Sequence, residues 1–181
     1  MSYTVVKIKS SYKDTITLLL KELMGFNTTV IEKPSYIIYK HDYENIDDIK
    51  AIILSLSNEQ MIDIFCYTTI TKNIDLELKL VEPFFEKYHN GFYTFKEFVI
   101  NEINNINKKD ALDLVLNGTG ISKDFVVEFL KYDLNLSKAA KEMYIHRNTM
   151  IYKLDKLKEI SGFDLRSFKD SYVLYSLIIN E

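Results

Sequence analysis

Residues 135–160 read NLSKAAKEMYIHRNTMIYKLDKLKEI, and their apolar spacing predicts two short helices joined by a tight turn. Ala139, Ala140 and Met143 fall about one helical turn apart, and Met150, Leu154 and Leu157 repeat the rhythm. Ile145 lies between the two sets, where it would plug the corner at which the helices meet. Ala140 suits the point of closest approach, because only a small side chain fits there. Asn135 or Ser137 can cap the first helix by accepting a bond from an orphan backbone N–H. Tyr144 stands where such a turn often carries a left-handed glycine, a conformation strained but tolerable for tyrosine. The second helix is expected to take His146 as its cap, run to about Ile160 and end before Ser161-Gly162.

Charge concentrates on the same segment. From Lys138 to Lys158 there are six basic residues, Lys138, Lys141, Arg147, Lys153, Lys156 and Lys158, against the acids Glu142 and Asp155. The chain as a whole carries a formal charge of −3. A local basic patch on a helical pair is the electrostatic footprint of phosphate contact. In a helix-turn-helix the first residues of the second helix face the base edges. Here those are His146, Arg147, Asn148 and Thr149. Arginine bonds bidentately to guanine, asparagine to adenine, and a threonine methyl can touch the thymine methyl. Tyr152, Lys153 and Lys156 follow at spacings that reach the groove wall or flanking phosphates. With Ser137 and Lys138 from the first helix, they complete the expected DNA-binding set. The plain alternative is a solvated helix whose lysines only keep it soluble. Charge alone does not beat that alternative; charge combined with the Ala-turn-Ile spacing and the H-R-N-T start does.

Residues 122–179 resemble the C-terminal helix-turn-helix domain of the PucR/CdaR family of bacterial transcription regulators, itself similar to the DNA-binding end of the nucleoid protein Fis. The matching stretch is NLSKAAKEMYIHRNTMIYKL, followed by LKEISGFDL and a closing apolar helix. Its most specific part is H-R-N-T followed by Tyr152, Lys153 and Leu154. The resemblance implies DNA binding through His146, Arg147, Thr149, Tyr152 and Lys153, and a residue other than glycine at position 144. One position departs: residue 151, commonly arginine in the family, is Ile151 here, which removes one phosphate or base contact. The resemblance covers about a third of the chain and stops near Ser122. Regulators of this type usually carry a longer sensory region, often with a degenerate cyclase-like module, and no motif in the first part of this chain secures a link to it.

Flanking segments supply support. Ser122 can cap a helix to about Tyr132, with Phe125, Val126, Phe129 and Leu130 on its apolar side. Residues 171–179, SYVLYSLII, form a last helix, apolar on most sides and suited to burial against the motif or a second subunit. Two helices alone cannot bury enough surface to be stable.

The 181 residues suit one or two compact domains, and 47% hydrophobic content permits a sizeable core. A pI near 5.7 argues against indiscriminate polyanion binding and for a confined basic face. The single cysteine, Cys66, cannot form an internal disulfide, which fits a reducing cytoplasm. No charged leader with a long apolar run opens the chain, and Leu18-Leu19-Leu20 is too short for a membrane span.

The first two-thirds reads as mixed α and β. Residues 4–9 alternate as a strand, and Ser11 or Asp14 can cap a helix to Met24, stopped by Gly25. Strand-like runs at 28–33 and 35–40 flank Pro34. Asn45 can cap a helix over 46–57, and 61–70 is the longest strand candidate. The order is that of a ferredoxin-like βαββαβ unit, although fragments of doubly wound folds look similar. Helices are then expected over 74–88, with a start or kink at Pro83, over 94–106 behind a Thr94–Glu97 capping box, and over 109–116. Asn117-Gly118-Thr119-Gly120 is the clearest hinge. The expected fold class is therefore α+β: an N-terminal mixed α/β sensing or dimerisation domain with helical connector, residues 1–116, and a C-terminal all-α helix-turn-helix domain, residues 121–181.

Catalysis finds little support. His41, His89 and His146 are far apart in sequence and lack metal-ligand spacing. Asp47-Asp48 falls in the first turn of a helix, where acids favour the dipole. Gly118-x-Gly120 lacks the third glycine and preceding strand of a dinucleotide loop. Phe84, Phe85, Tyr88, Phe92, Tyr93, Phe95 and Phe98 could line an effector pocket, but at helical spacing such a run is more often plain core or a dimer seam. The expectation is a cytoplasmic, non-enzymatic, sequence-specific transcription regulator without a cofactor. It would bind double-stranded DNA as a homodimer and take a small-molecule effector in its N-terminal domain. The alternatives are a nucleoid-like architectural DNA binder and a helix-turn-helix used as a protein-interaction module.

Overall fold

The computed structural model describes residues 2–8, 10–25, 27–43, 45–70 and 74–179. The chain separates into two compact units, Met1–Phe95 and Lys96–Glu181.

The first unit is built on β1 (Ser2–Ile8), α1 (Lys13–Met24), β2 (Thr29–Glu32), β3 (Ile37–His41), α2 (Ile46–Gln60), β4 (Ile64–Thr68), α3 (Ile74–Val81) and β5 (Gly91–Thr94). The sheet order is β2-β3-β1-β4-β5. β1 runs antiparallel between β3 and β4, and β2 and β3 form an antiparallel hairpin across Pro34. The first four strands with α1 and α2 thus have the expected ferredoxin-like βαββαβ arrangement.

β5 is a correction to the sequence reading. It pairs parallel with β4, Phe65 opposite Gly91 through Thr68 opposite Thr94. Four residues are too few to display an alternating pattern, and a strand of this kind exists only through its neighbour. The helix expected over 94–106 accordingly shrinks to α4, Phe95–Asn101. The expected helix over 74–88 stops at Val81, and Pro83 sits in a single 3-10 turn at Glu82–Phe84. Two expected caps also differ: the cap position of α1 is Tyr12, not Ser11 or Asp14, and makes no side-chain capping bond, and Asn45 makes none before α2.

One sheet face is covered by α1 and α2. Ile16, Leu20, Met24, Ile49 and Ile53 pack there with Val6, Ile37, Tyr39, Ile64 and Cys66. Burying each such aliphatic chain stabilises by about 1.5–3 kcal/mol. The Cys66 thiol is fully buried, and burial pushes its pKa up, leaving it unreactive. The opposite face is aromatic: the Phe65 ring lies 4.9 Å from Phe85 and 5.6 Å from Tyr93. Of the aromatic run left open in the sequence, Phe85, Phe92, Phe95 and Phe98 are buried core residues.

Burial raises Tyr36 to about 12, aided by the neighbouring Glu82 carboxylate. Burial also raises Tyr39 and Tyr67, the latter beside Glu77. A phenol whose folded pKa exceeds its unfolded value near 10 contributes stability that is intact below that pH and lost as pH climbs beyond it. Absorbance titration of the folded chain should therefore show a late-ionising class among the 13 tyrosines. Uniform ionisation near pH 10 without loss of structure would contradict these burial assignments.

The second unit is helical: after α4 come α5 (Lys108–Leu116), α6 (Lys123–Leu130), α7 (Leu136–Glu142), α8 (Arg147–Ser161) and α9 (Phe168–Ile178). α5 packs on α8 and α9, α6 on α7 and α9, and α7 on α8. Phe129, Met150, Leu154, Leu157, Phe163, Leu165, Leu174 and Leu177 are fully buried. The segment 117–120, expected as the hinge, is a turn inside this unit. Gly118 and Gly120 take φ of 73° and 72°, and buried Thr119 donates its hydroxyl to Leu116 O at 2.7 Å. A threonine held this way makes the segment compact, whereas a linker would leave it solvated. No described helix is long and apolar enough to cross a membrane.

Candidate nucleic-acid interface

Each helix of the motif starts on a side-chain cap. Ser122 Oγ accepts the Phe125 N–H at 3.2 Å before α6, and Asn135 Oδ1 accepts the Lys138 N–H at 3.0 Å before α7. His146 Nδ1 accepts the Asn148 N–H at 3.2 Å before α8. Such a cap is worth roughly 0.5–2 kcal/mol. It also fixes the imidazole: Nδ1 supplies its lone pair to the helix, so the ring N–H that remains is on Nε2.

The turn closes tightly. Ile145 N–H reaches Ala140 O at 2.9 Å, and Tyr144 adopts the left-handed conformation with φ of 54°. Its ring is 97% exposed, so nothing packs against it. Ala139 and Ala140 are buried where α7 meets α8. At the far end of α8, Gly162 takes φ of 77° and its N–H caps Lys158 O.

Helix α8 is split by burial. Met150, Leu154, Leu157 and Ser161 face the core at one-turn spacing, while Arg147, Asn148, Thr149 and Tyr152 are exposed. Ser137, Lys138 and His146 are exposed too, and Lys153 and Lys156 are half-buried. All nine expected contact residues therefore reach the surface of the second unit. Ile151 is half-buried.

The charges are sorted. Asp155 is bridged by Arg166 at 2.7 Å, and the same guanidinium grips Asp164 through Nε at 2.8 Å and Nη2 at 3.1 Å. The Arg166 guanidinium holds the Asp164 carboxyl down at about 2. Lys158 lies 3.3 Å from Asp164. Among the described residues Lys138, Lys141, Arg147 and Lys156 make no ion pair. Lys138 Nζ stands over the Tyr132 ring at 5.9 Å, and Lys153 Nζ donates to Gly120 O at 3.0 Å and lies over the Phe125 ring. Asp155, the acid within α8 nearest these cations in sequence, is thus countered by Arg166 at the surface, while Glu142 and Glu159 stay exposed at the far ends of α7 and α8.

Sequence reading missed the brace behind the motif. Lys96 Nζ pairs with buried Asp170 at 2.6 Å and donates to Gly162 O at 3.0 Å, and Asp170 accepts the Asp164 N–H at 2.9 Å. This ties α4, the exit of α8 and the start of α9. A pair 74 residues apart leaves no local sequence signal.

With this geometry established, residues 124–178 match the PucR C-terminal helix-turn-helix domain. The carbohydrate diacid regulator of Escherichia coli (strain K12) is 28% identical over 60 residues, 33% of this chain and 16% of that protein. An uncharacterized protein of Bacillus subtilis (strain 168), YxkF, is 33% identical over 51 residues, 28% of this chain and 17% of its own length. The chain therefore spans about a sixth of the curated relatives it matches. A solved structure, the regulator of polyketide synthase expression from Bifidobacterium adolescentis, aligns over 97% of this chain and 77% of that one, with 16% identity and a TM-score of 0.40. Caps, left-handed turn, buried seam and family match coincide on one segment: residues 124–178 are a PucR-type C-terminal helix-turn-helix domain.

Proposed function

We propose that the protein is a cytoplasmic, sequence-specific transcription regulator that lays α8 in the DNA major groove. The observation that carries this reading is the free front of α8: His146, Arg147, Asn148 and Thr149 stand in solvent while Met150, Leu154 and Leu157 are buried behind them. Arg147, Asn148, Thr149 and the Nε2–H of His146 read base edges; Ser137, Lys138, Tyr152, Lys153 and Lys156 hold phosphates. The DNA-binding domain proper is residues 121–181, with α5 as its support. A homodimer places two such helices on half-sites about one helical turn apart, and the α/β unit senses a small-molecule effector or assists dimerisation. The description of the Escherichia coli relative as a regulator supports this assignment.

Selection of bound duplexes from a random pool, followed by mobility-shift titration at fixed salt, tests the proposal. A shared sequence among the selected duplexes is the expected result. Bending with little sequence preference would replace this reading with an architectural binder, and no shift even at low salt would leave only a protein-interaction module.

Lysine 153 gives a separate check. Its ammonium has three donors, one of which goes to Gly120 O, leaving two for a phosphate. Lys153→Ala should weaken cognate and unrelated duplexes alike and flatten the dependence of log K on log salt by about 0.9. A loss confined to one sequence would move Lys153 from phosphate holding to base reading.

A further inference from the structure

Helix α9 is apolar on two sides. Its inner side, Val173, Leu174, Leu177 and Ile178, is buried in the second unit. Its outer side carries Phe168, Tyr172, Tyr175 and Ile179, exposed to 79%, 64%, 44% and 54%. These four follow the i, i+4, i+7, i+11 spacing of a single helical stripe, the pattern by which helices pack against other helices. Beside the stripe lies an open groove of about 620 Å³ lined also by Val127, Leu130 and Leu134. The groove wall is strained: Asp133 and Leu134 both sit at positive φ, 54° and 61°. A left-handed leucine is uncommon, and such strain gathers at functional surfaces.

We propose that this α6–α9 face is the surface through which two copies of the chain pair, a proposal that rests on the homodimer in the functional reading above. Three features select a second copy as the occupant. The three rings alone offer on the order of 400 Å² per copy, half of the ~800 Å² per partner in a standard interface, before the groove and Ile179 are counted. Asp133 lines the groove and Lys169 directly follows Phe168 on α9; both are exposed and make no ion pair among the described residues, whereas the groove's other charge, Lys131, is already paired with Glu128. A two-fold mate satisfies both, because in an isologous contact residue i meets j and j meets i. None of the stripe or groove residues belongs to α8 or to its expected DNA contacts, so pairing and groove reading use different side chains.

Sedimentation velocity of the full chain without DNA, over a concentration series, tests the interface. The expected result is a monomer–dimer equilibrium whose dissociation constant rises about 30-fold or more in Tyr172→Glu. A chain that stays monomeric, or a dimer indifferent to Tyr172→Glu and Phe168→Ser, overturns the proposal; a monomer would leave the groove to another kind of partner. Crosslinking guards against a variant that misfolds. Tyr172→Cys and Tyr175→Cys are oxidised beside a Lys109→Cys control, native Cys66 being buried and silent. At least one α9 cysteine should link two chains faster than the control; equal rates at all three count against pairing. DNA binding is read separately: a dimer that shifts no duplex leaves the interface standing and removes the base-reading role, and a monomer that still selects a sequence does the reverse.

Discussion

Leu154→Ala should destabilise the helical unit by about 2–5 kcal/mol, the largest stability loss expected from a single change on α8. Leu154 is fully buried between Met150 and Leu157, at the centre of the seam that α8 presents to the rest of the unit. α5 and α7 both pack on this helix, so truncation leaves a void bounded by several elements that cannot all collapse into it. The cost therefore exceeds simple transfer of the missing carbons to water. Tyr152→Ala, two residues away on the exposed side, should change stability by no more than about 0.5 kcal/mol. Denaturant unfolding followed by circular dichroism of both variants makes the comparison. The chain has two compact units, so the transition expected to move is that of residues 96–181, and separate unit transitions must be fitted if they do not coincide. Similar losses at 154 and 152 would show that α8 is not split by burial in solution, and the DNA reading would lose its geometric basis.

The division between what the sequence revealed and what it hid follows the range of the interactions. Ser122, Asn135 and His146 were readable as caps because a cap is satisfied within three residues. Tyr144 and Gly162 were readable as left-handed positions because the periodic pattern stops on either side of them. The βαββαβ order of the first unit was readable from alternating strands long enough to show a period. The hidden features depend on distant partners. β5 exists through β4, some 26 residues earlier in register, and Gly91–Thr94 by itself joins smoothly to the helical pattern after it. The Lys96–Asp170 brace joins residues whose neighbours in sequence say nothing of each other. Asn117–Gly120 has a linker's composition, and only the burial of Thr119 shows that it is packed. The positive surface was legible as a count of lysines. That Arg166 counters Asp155 was not, since the bridge depends on how the loop after α8 folds back.

Arg147→Ala should cost on the order of 1–3 kcal/mol at a cognate site, about a 5- to 150-fold loss of affinity, and should relax discrimination at one base position. Arg147 opens α8 directly after its His146 cap, where a helix-turn-helix meets base edges. It is exposed and makes no ion pair among the described residues, so binding DNA does not require it to leave a partner. Its guanidinium presents donors in a fixed fork that matches the two acceptors of guanine, which a lysine cannot reproduce. Arg147→Lys should therefore recover the charge contribution without the discrimination. The two losses separate in salt-controlled mobility-shift titrations against the selected duplex and single-base variants. Alanine should lower affinity and flatten the preference, and lysine should flatten the preference while keeping much of the non-specific affinity. The fold should be little affected, because Arg147 is exposed and makes no ion pair among the described residues. If both variants bind every duplex as the parent does, α8 does not read bases through its first residue. If alanine weakens all duplexes equally, Arg147 is a phosphate contact, and discrimination passes to Asn148 and Thr149, where the same pair of measurements can be repeated.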